Sequence, residues 1–457
     1  MDKLISHLLQ NGIYLSKKGD KLSVEYNGDM ISDDLLKEIK NNKDELLRYL
    51  GRENINPDYQ DIIPVKNAES YSLSNAQRRL WVLSQFEGVS AAYNMPGRIY
   101  LNQEIDIENF KRAIDSVIER HEILRTVFKE DKTGKIRQWV LGKEDFSFEI
   151  GYKDFRQAQN KEEKVKEYIT EDSYKNFDLV NGPLLRAALL RVEDSMYVFC
   201  YNMHHIISDG WSLNVLSKDI FSYYNAYKEN KQPQKKKLRI HYKDYSAWQL
   251  AQLNEKSFIA HRRYWLDSLS GELPTIDLPG TKQRPQIKTS NGQGLTTYIG
   301  SEATDKLKKY SQASGGSLFM GLLAVWNILV YRYTSQKDII IGTPVAGREH
   351  TELEDQIGFY VNMLALRIEV DPDESFHGFY KSLKEDILNS YSHQMYPFDC
   401  LVEELNLQRD ASRSAVFDVL LDFHDLGDGA EELELSKEGI NQIVDLGYRT
   451  SKFDIEV

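Results

Sequence analysis

A chain of 457 residues exceeds one ordinary hydrophobic core and predicts two or three domains. A hydrophobic fraction of 41% excludes a disordered chain, and a net charge of -12 argues against nucleic acid as the main partner. Two cysteines, Cys200 and Cys400, cannot build a disulfide framework, no apolar run approaches membrane-spanning length, and Met1-Asp2-Lys3-Leu4 lacks the basic and apolar regions of a signal peptide. Together these predict a cytoplasmic protein.

Residues 1–52 read as a separate small unit. Leu4, Ile5, Leu8 and Leu9 form one helical stripe, ended by Asn11-Gly12. Ile13–Ser16 and Leu22–Tyr26 are predicted strands about a turn at Lys17-Lys18-Gly19-Asp20. Ser32 is placed to cap a helix burying Leu35, Leu36 and Ile39, continued by Leu46, Leu47 and Leu50. A two-stranded hairpin leaves edges to which a partner can add a strand. Residues 53–67, polar with two prolines, read as a short stiff linker.

Beyond the linker, Ser74 is a predicted N-cap for a helix with Ala76, Leu80 and Leu83 inward, and Phe110, Ala113, Ile114, Val117 and Ile118 share the face of the next helix. His121, near the end of that helix, reads as a structural hydrogen-bonding residue. Strands are predicted at Ile136–Val140 and Phe146–Ile150, a helix over Lys161–Ser173, and a strand pair at Leu184–Val192 and Met196–Met203. The last strand runs into Asn202-Met203-His204-His205-Ile206-Ile207-Ser208-Asp209-Gly210-Trp211-Ser212. Two histidines therefore stand at a strand end, and the loop turns at Asp209-Gly210 into a helix that Ser212 is expected to cap, with Leu213, Leu216, Ile220, Tyr224 and Tyr227 on one face. Neighbouring strand residues point to opposite faces, so the two imidazoles are ill placed to share one metal ion. On its own the stretch fits a catalytic loop or a polar turn with one satisfied histidine. Further on, a helix passes through His261–Trp265, Ser317 is a predicted N-cap for the apolar helix Leu318–Tyr331, and the buried strand beginning at Asp338-Ile339-Ile340-Ile341 leads to a turn at Gly347-Arg348.

His204-His205-x-x-x-Asp209-Gly210 resembles the active-site motif of the condensation domains of nonribosomal peptide synthetases, which belong to the chloramphenicol acetyltransferase superfamily. Six more stretches are similar to that family's motifs and stand in its order: Ser74–Trp81, Arg120–Phe128, Tyr242–Gln249, Ile357–Leu364, His393–Asp399 and Arg409–Arg413. Met363, Met395, Asp399 and Ser414-Ala415 depart from the family pattern. Residues 1–52 resemble the small N-terminal docking domains of the tubulysin-synthetase type, which recognise the C-terminal tail of a preceding subunit. The resemblance implies an α/β fold: a docking domain over 1–52, the linker 53–67, then two chloramphenicol-acetyltransferase-like lobes, 68–249 and 250–457, in a V arrangement. The second lobe is expected to be incomplete at its C-terminus.

The reaction so implied is attack of a carrier-bound aminoacyl amine on a carrier-bound acyl or peptidyl thioester. His205 would act as base or positioning group, Gly210 as a backbone oxyanion donor, and His204 as a loop-holding residue; Asp209 would pair with Arg348, with Arg78 and Asn362 supporting the site. Ser314-Gly315-Gly316-Ser317 is a poor match to a carrier attachment site, and no phosphate-binding Gly-x-x-x-x-Gly-Lys loop occurs. The expectation is therefore no metal and no covalently held cofactor, with both substrates arriving on the phosphopantetheine of donor and acceptor carrier proteins. Epimerisation domains carry Glu-Gly-His-Gly-Arg where Thr343–Arg348 stands, and the aspartate-rich motif of heterocyclisation domains is absent. A related epimerisation domain, a coenzyme A-dependent acyltransferase and a non-catalytic docking module remain alternatives.

Overall fold

The computed structural model describes residues 61–424, apart from 86–89, 254, 281–283 and 409, together with 451–457; before residue 61 it describes 13–18, 21–26, 35, 39, 40, 42 and 43. The chain divides into two compact units, Met1–Ile62 and Ile63–Val457. In the first unit β1 (Ile13–Lys18) and β2 (Lys21–Tyr26) pair antiparallel, Ile13 opposite Tyr26, so the hairpin is longer than expected. The helical stripe at Leu4–Leu9, the helix from Asp44 to Leu50, most of the helix after Ser32, and residues 53–60 of the linker lie outside the described residues.

In the second unit α1 (Asn75–Ser84) starts from a capping box: the Ser74 hydroxyl accepts from the Gln77 N–H, and the Gln77 side chain reaches back to the Ser74 N–H. Next come β3 (Asn94–Leu101), α2 (Ile107–Arg120), the strand pair β4 (Thr126–Glu130) and β5 (Ile136–Val140), then β6 (Gly151–Asp154), α3 (Lys161–Tyr174), β7 (Leu185–Glu193) and β8 (Met196–His204). A four-stranded sheet forms in the order β3-β8-β7-β6, with β6 parallel to β7 and the remaining pairs antiparallel. The strand expected at Phe146–Ile150 is not hydrogen-bonded as a strand; pairing starts at Gly151 opposite Ala188. The alternation that suggested it is real, because Phe146, Phe148 and Ile150 are half-buried between exposed neighbours.

The helix after the paired histidines is α4 (Gly210–Lys228). It packs with α2 over the sheet: the Phe110 ring meets Phe199 of β8 edge-on at 5.2 Å and Tyr224 of α4 at 5.6 Å. Its N-cap is Asp209 rather than the expected Ser212, and the buried stripe includes Val215, Leu216, Ile220, Phe221 and Tyr224, while Leu213 and Tyr227 are only half-buried. His121 is buried at the end of α2, its Nε2 2.8 Å from the Asp219 carboxylate of α4.

The chain continues through α5 (Tyr242–Gln252), α6 (Lys256–Ser268), α7 (Ser301–Ala313), α8 (Leu318–Thr334), β9 (Asp338–Val345), β10 (Asn362–Glu369), α9 (Phe376–Ser392), α10 (Phe398–Glu404), β11 (Val419–Leu420) and β12 (Ile455–Glu456). A second sheet has the order β10-β9-β11-β12. Ser317 caps α8 as expected, accepting from the Met320 N–H. One hydrophobic cluster unites Phe319, Leu323, Ile339–Ile341, Leu364–Leu366, Phe379, Leu383, Phe417 and Val419–Leu421 around that sheet. Helix α5 runs unbroken through Gln249, where the sequence placed a boundary. Among the described residues, no single helix is long and apolar enough to cross a membrane.

Candidate active site

Strand β8 ends at His204, and the chain tightens into one 3-10 turn, His205–Ile207. His204 caps that turn: its Nδ1 accepts from the Ile206 N–H at 3.1 Å. A nitrogen that accepts holds no proton, so the neutral ring is protonated at Nε2. That atom is buried with no hydrogen-bond partner among the described residues, and the ring stands T-shaped to Phe177. His205 adopts the other tautomer. Its Nδ1 lies 2.8 Å from the carbonyl of Ser208, which can only accept; Nδ1 therefore donates and Nε2 bears the free lone pair. The His205 ring meets Phe359 edge-on at 4.8 Å. Burial, then the charge of Lys452, holds both imidazoles down to about 3. Both rings are thus neutral across the physiological range.

The next turn is organised by Asp209. Its Oδ1 accepts from the Ser212 N–H (2.8 Å) and hydroxyl (2.6 Å), its Oδ2 from the Tyr360 N–H (3.0 Å), and Arg348 Nη2 lies 3.0 and 3.3 Å from the two oxygens. Arg348 also donates to the carbonyls of Leu353 and Gln356, and its guanidinium sits 4.2 Å from the Tyr360 ring centroid. A carboxylate so fully engaged fastens the turn to the loops that carry Tyr360 and Arg348. The Asp209–Arg348 pairing expected from the resemblance is present, with both side chains buried. Gly347 makes it reachable: it turns at φ +64°, and a Cβ there would lie 2.0 Å from the Tyr360 carbonyl oxygen.

Gly210 is the first residue of α4, where backbone N–H groups lack an intrahelical acceptor. It is exposed, its φ is ordinary, and an added Cβ would meet only the His424 ring at 3.9 Å. Nothing within the described protein demands a glycine there. Close approach by a substrate would.

The other expected residues fall less centrally. Asn362 opens β10, donates to the carbonyls of Gln394 and Tyr396 at 2.8 Å each, and accepts from the Phe398 N–H at 3.0 Å; it pins the turn after α9. Arg78 is exposed and donates to Asn75. That hydrogen bond stays within α1. Gln77 holds the histidine turn, donating from Nε2 to the Ile206 carbonyl at 3.2 Å. Arg79 pairs with Asp399 at 2.8 Å. Sequence reasoning also passed over Ser212, whose hydroxyl joins Asp209, Arg348 and the Gly358 N–H.

Residues 67–457 match the family model described as condensation domain, and residues 1–51 the model described as TubC N-terminal docking domain. The chain belongs to the condensation-domain family. Gramicidin S synthase 2 of Brevibacillus brevis is 36% identical over 400 residues, which is 87% of this chain and 9% of that protein. Bacitracin synthase 3 of Bacillus licheniformis is 36% identical over 398 residues, 87% of this chain and 6% of that protein. The chain therefore spans less than a tenth of the length of these two relatives. Among solved structures, the X-domain from teicoplanin biosynthesis superposes with a TM-score of 0.71 at 23% identity, covering 79% of both chains. A starter condensation domain of rhizomide synthetase gives 0.67 at 20% identity, covering 78% of both. These likenesses establish the chloramphenicol-acetyltransferase-like fold.

Proposed function

We propose that the chain forms an amide bond between two carrier-bound substrates, with residues 1–52 binding the C-terminal tail of an upstream synthetase subunit. The observation that carries this reading is the tautomer of His205: with Nδ1 committed to the Ser208 carbonyl, Nε2 is left as an acceptor, on the turn that leads directly to Gly210 and the start of α4. The acceptor amine donates a hydrogen bond to Nε2 and attacks the thioester carbon. The Gly210 N–H receives the developing oxyanion, the carbon–sulfur bond breaks, and the nitrogen's surplus proton ends on the departing thiolate. An imidazole held near 3 does not deprotonate an alkylammonium ion, so His205 orients a neutral amine. His204 shapes the turn; Asp209 and Arg348 lock the head of α4. No cofactor is held covalently: the substrates arrive on the phosphopantetheine of donor and acceptor carrier proteins. The division into lobes near Gln249 belongs to the same reading.

A second reading is a recruitment module. The structurally similar X-domain has been solved in complex with OxyB, so this fold also serves as a binding platform. Product mass spectrometry separates the two. Donor-loaded and acceptor-loaded carriers incubated with the chain yield a condensed product under the first reading, and His205→Ala lowers its rate at least ~100-fold with an unchanged melting curve. Carrier binding without turnover supports the second reading, and a near-wild-type rate for His205→Ala removes the histidine from the mechanism.

A further inference from the structure

The residue that acts on both motif histidines most strongly from outside their own loop lies about 250 positions downstream. Lys452 is in the final described segment, 451–457, which is fastened to the second sheet. Ser451 donates its N–H to the Ser290 carbonyl, the Lys452 carbonyl accepts from Lys288 Nζ at 2.9 Å, and β12 runs parallel to β11. From that base the Lys452 side chain crosses to the first sheet, where its Nζ stands 5.1 Å from the centroid of the Tyr93 ring. Tyr93 directly precedes Asn94, whose Cα is paired with that of His204 across β3 and β8. Tyr93 closes the 3-10 turn Ser90–Tyr93, one residue before the strand position paired with His204, so the ammonium over its ring lies at the edge of the first sheet where the histidine turn begins. The same charge is, after burial, the largest cause lowering the basicity of His204 and His205.

Surrounding charges do not cancel it. Arg79, which faces Lys452 from α1, is paired with Asp399. Asp422, at the end of the second sheet, is 3.0 Å from His424 Nε2. Glu456 acts on Lys452 through space, and among the described residues no carboxylate forms an ion pair with it. The side chain is open to solvent although protein encloses it on several sides, and that enclosure lowers its own pKa.

We propose that Lys452 is an electrostatic positioning residue for the condensation: its ammonium, held over Tyr93 at the sheet edge that carries the motif histidines, repels the protonated form of the acceptor amine and keeps the attacking nitrogen neutral. A free α-amine has a pKa of about 8 and is mostly protonated at neutral pH. A neighbouring cation disfavours that charged form. The two roles then divide: His205 accepts a hydrogen bond from an amine that is already neutral, and Lys452 keeps it so. The proposal rests on the amide-forming reading above.

The test is a pH profile of single-turnover rates, from about pH 6 to about pH 9, with a donor-loaded carrier and a small aminoacyl thioester as acceptor. Lys452→Gln removes the charge from an exposed side chain. The acidic limb is expected to move alkaline by roughly 0.5–1 unit, lowering the rate at about pH 6.5 by three- to tenfold while the alkaline plateau changes less than about twofold. Lys452→Arg, which keeps a positive charge throughout, is expected to retain the wild-type profile. Raising salt to about 0.5 M is expected to narrow the gap between wild type and Lys452→Gln. An unmoved limb in Lys452→Gln, with or without a lower plateau, overturns the electrostatic role while leaving the reaction intact. Absence of product from the wild type overturns the reading on which the inference rests, and the inference with it.

Discussion

His204 shows how a single side chain can make the fold sensitive to pH. Burial and Lys452 lower its pKa from 6.5 to about 3, so between those values the unfolded chain binds a proton that the folded chain refuses. Stability therefore rises with pH across that window and is lost as pH falls through it. At pH 5 the single residue accounts for about 2 kcal/mol of lost stability relative to neutral pH. Urea denaturation of His204→Gln between about pH 5 and about pH 7 is expected to show a correspondingly flatter dependence, and a slope equal to the wild type's would mean the ring titrates normally. That two histidines at a strand end mattered was legible in the sequence. Their opposite tautomers were not, because each is set by one hydrogen bond, from Ile206 to His204 and from His205 to Ser208. The hydrogen bond from Gln77 was not legible for a similar reason. Gln77 lies on α1, and only the three-dimensional course of the histidine turn shows that the Ile206 carbonyl needs a donor.

At the scale of elements, α4 matters most at its first residue. The sequence placed Ser212 as its cap, whereas Asp209 takes that position and Ser212 becomes the third helical residue, linking the carboxylate to Gly358 and Arg348. Propensity alone cannot choose between two good capping residues three apart; the buried arginine decides. The helix then presents Gly210 where no protein atom fills the space a methyl group would occupy. Gly210→Ala is expected to leave the melting temperature within about a degree, since alanine is well tolerated at a helix start, yet to lower the condensation rate at least ~10-fold by displacing the thioester carbonyl from the N–H. An alanine variant of full activity would place the reacting carbonyl elsewhere. The mispredicted strand at Phe146–Ile150 teaches the same distinction on a sheet: alternation reports which side chains turn inward, while the start of the hydrogen-bonded ladder depends on where Gly151 lets β6 approach Ala188.

Among the described residues of the condensation unit, one buried ion pair, Asp209–Arg348, and two at the rim, Arg239–Glu352 and Arg79–Asp399, fasten the elements around the first sheet to those around the second. Asp209 and Arg348 lie 139 positions apart, and nothing in spacing or periodicity links them; the pairing came from family resemblance, and of the two four-stranded sheets only the β7–β8 pair was legible. Exposure ranks these fasteners. The side chains of Asp209 and Arg348 are 3% and 2% exposed, against 48% and 32% for Arg239–Glu352 and 46% and 18% for Arg79–Asp399. Removing one member of a desolvated pair leaves the other charge buried and alone, which is worth about 3–5 kcal/mol, whereas rim pairs contribute roughly 0–1 kcal/mol and fade with salt. Arg348→Ala is therefore expected to lower stability by at least ~3 kcal/mol and to abolish turnover, because the Asp209 carboxylate then keeps only the donors of Ser212 and Tyr360. Arg239→Ala and Arg79→Ala are expected to cost less than about 1 kcal/mol each, with the difference disappearing at about 0.5 M salt. Chemical denaturation of the three variants ranks them directly. An Arg348→Ala loss no larger than that of the rim variants would show that the sheets are joined mainly by the apolar contacts around Tyr242, Tyr245 and Tyr360, whose rings meet at 4.7–5.5 Å between centroids.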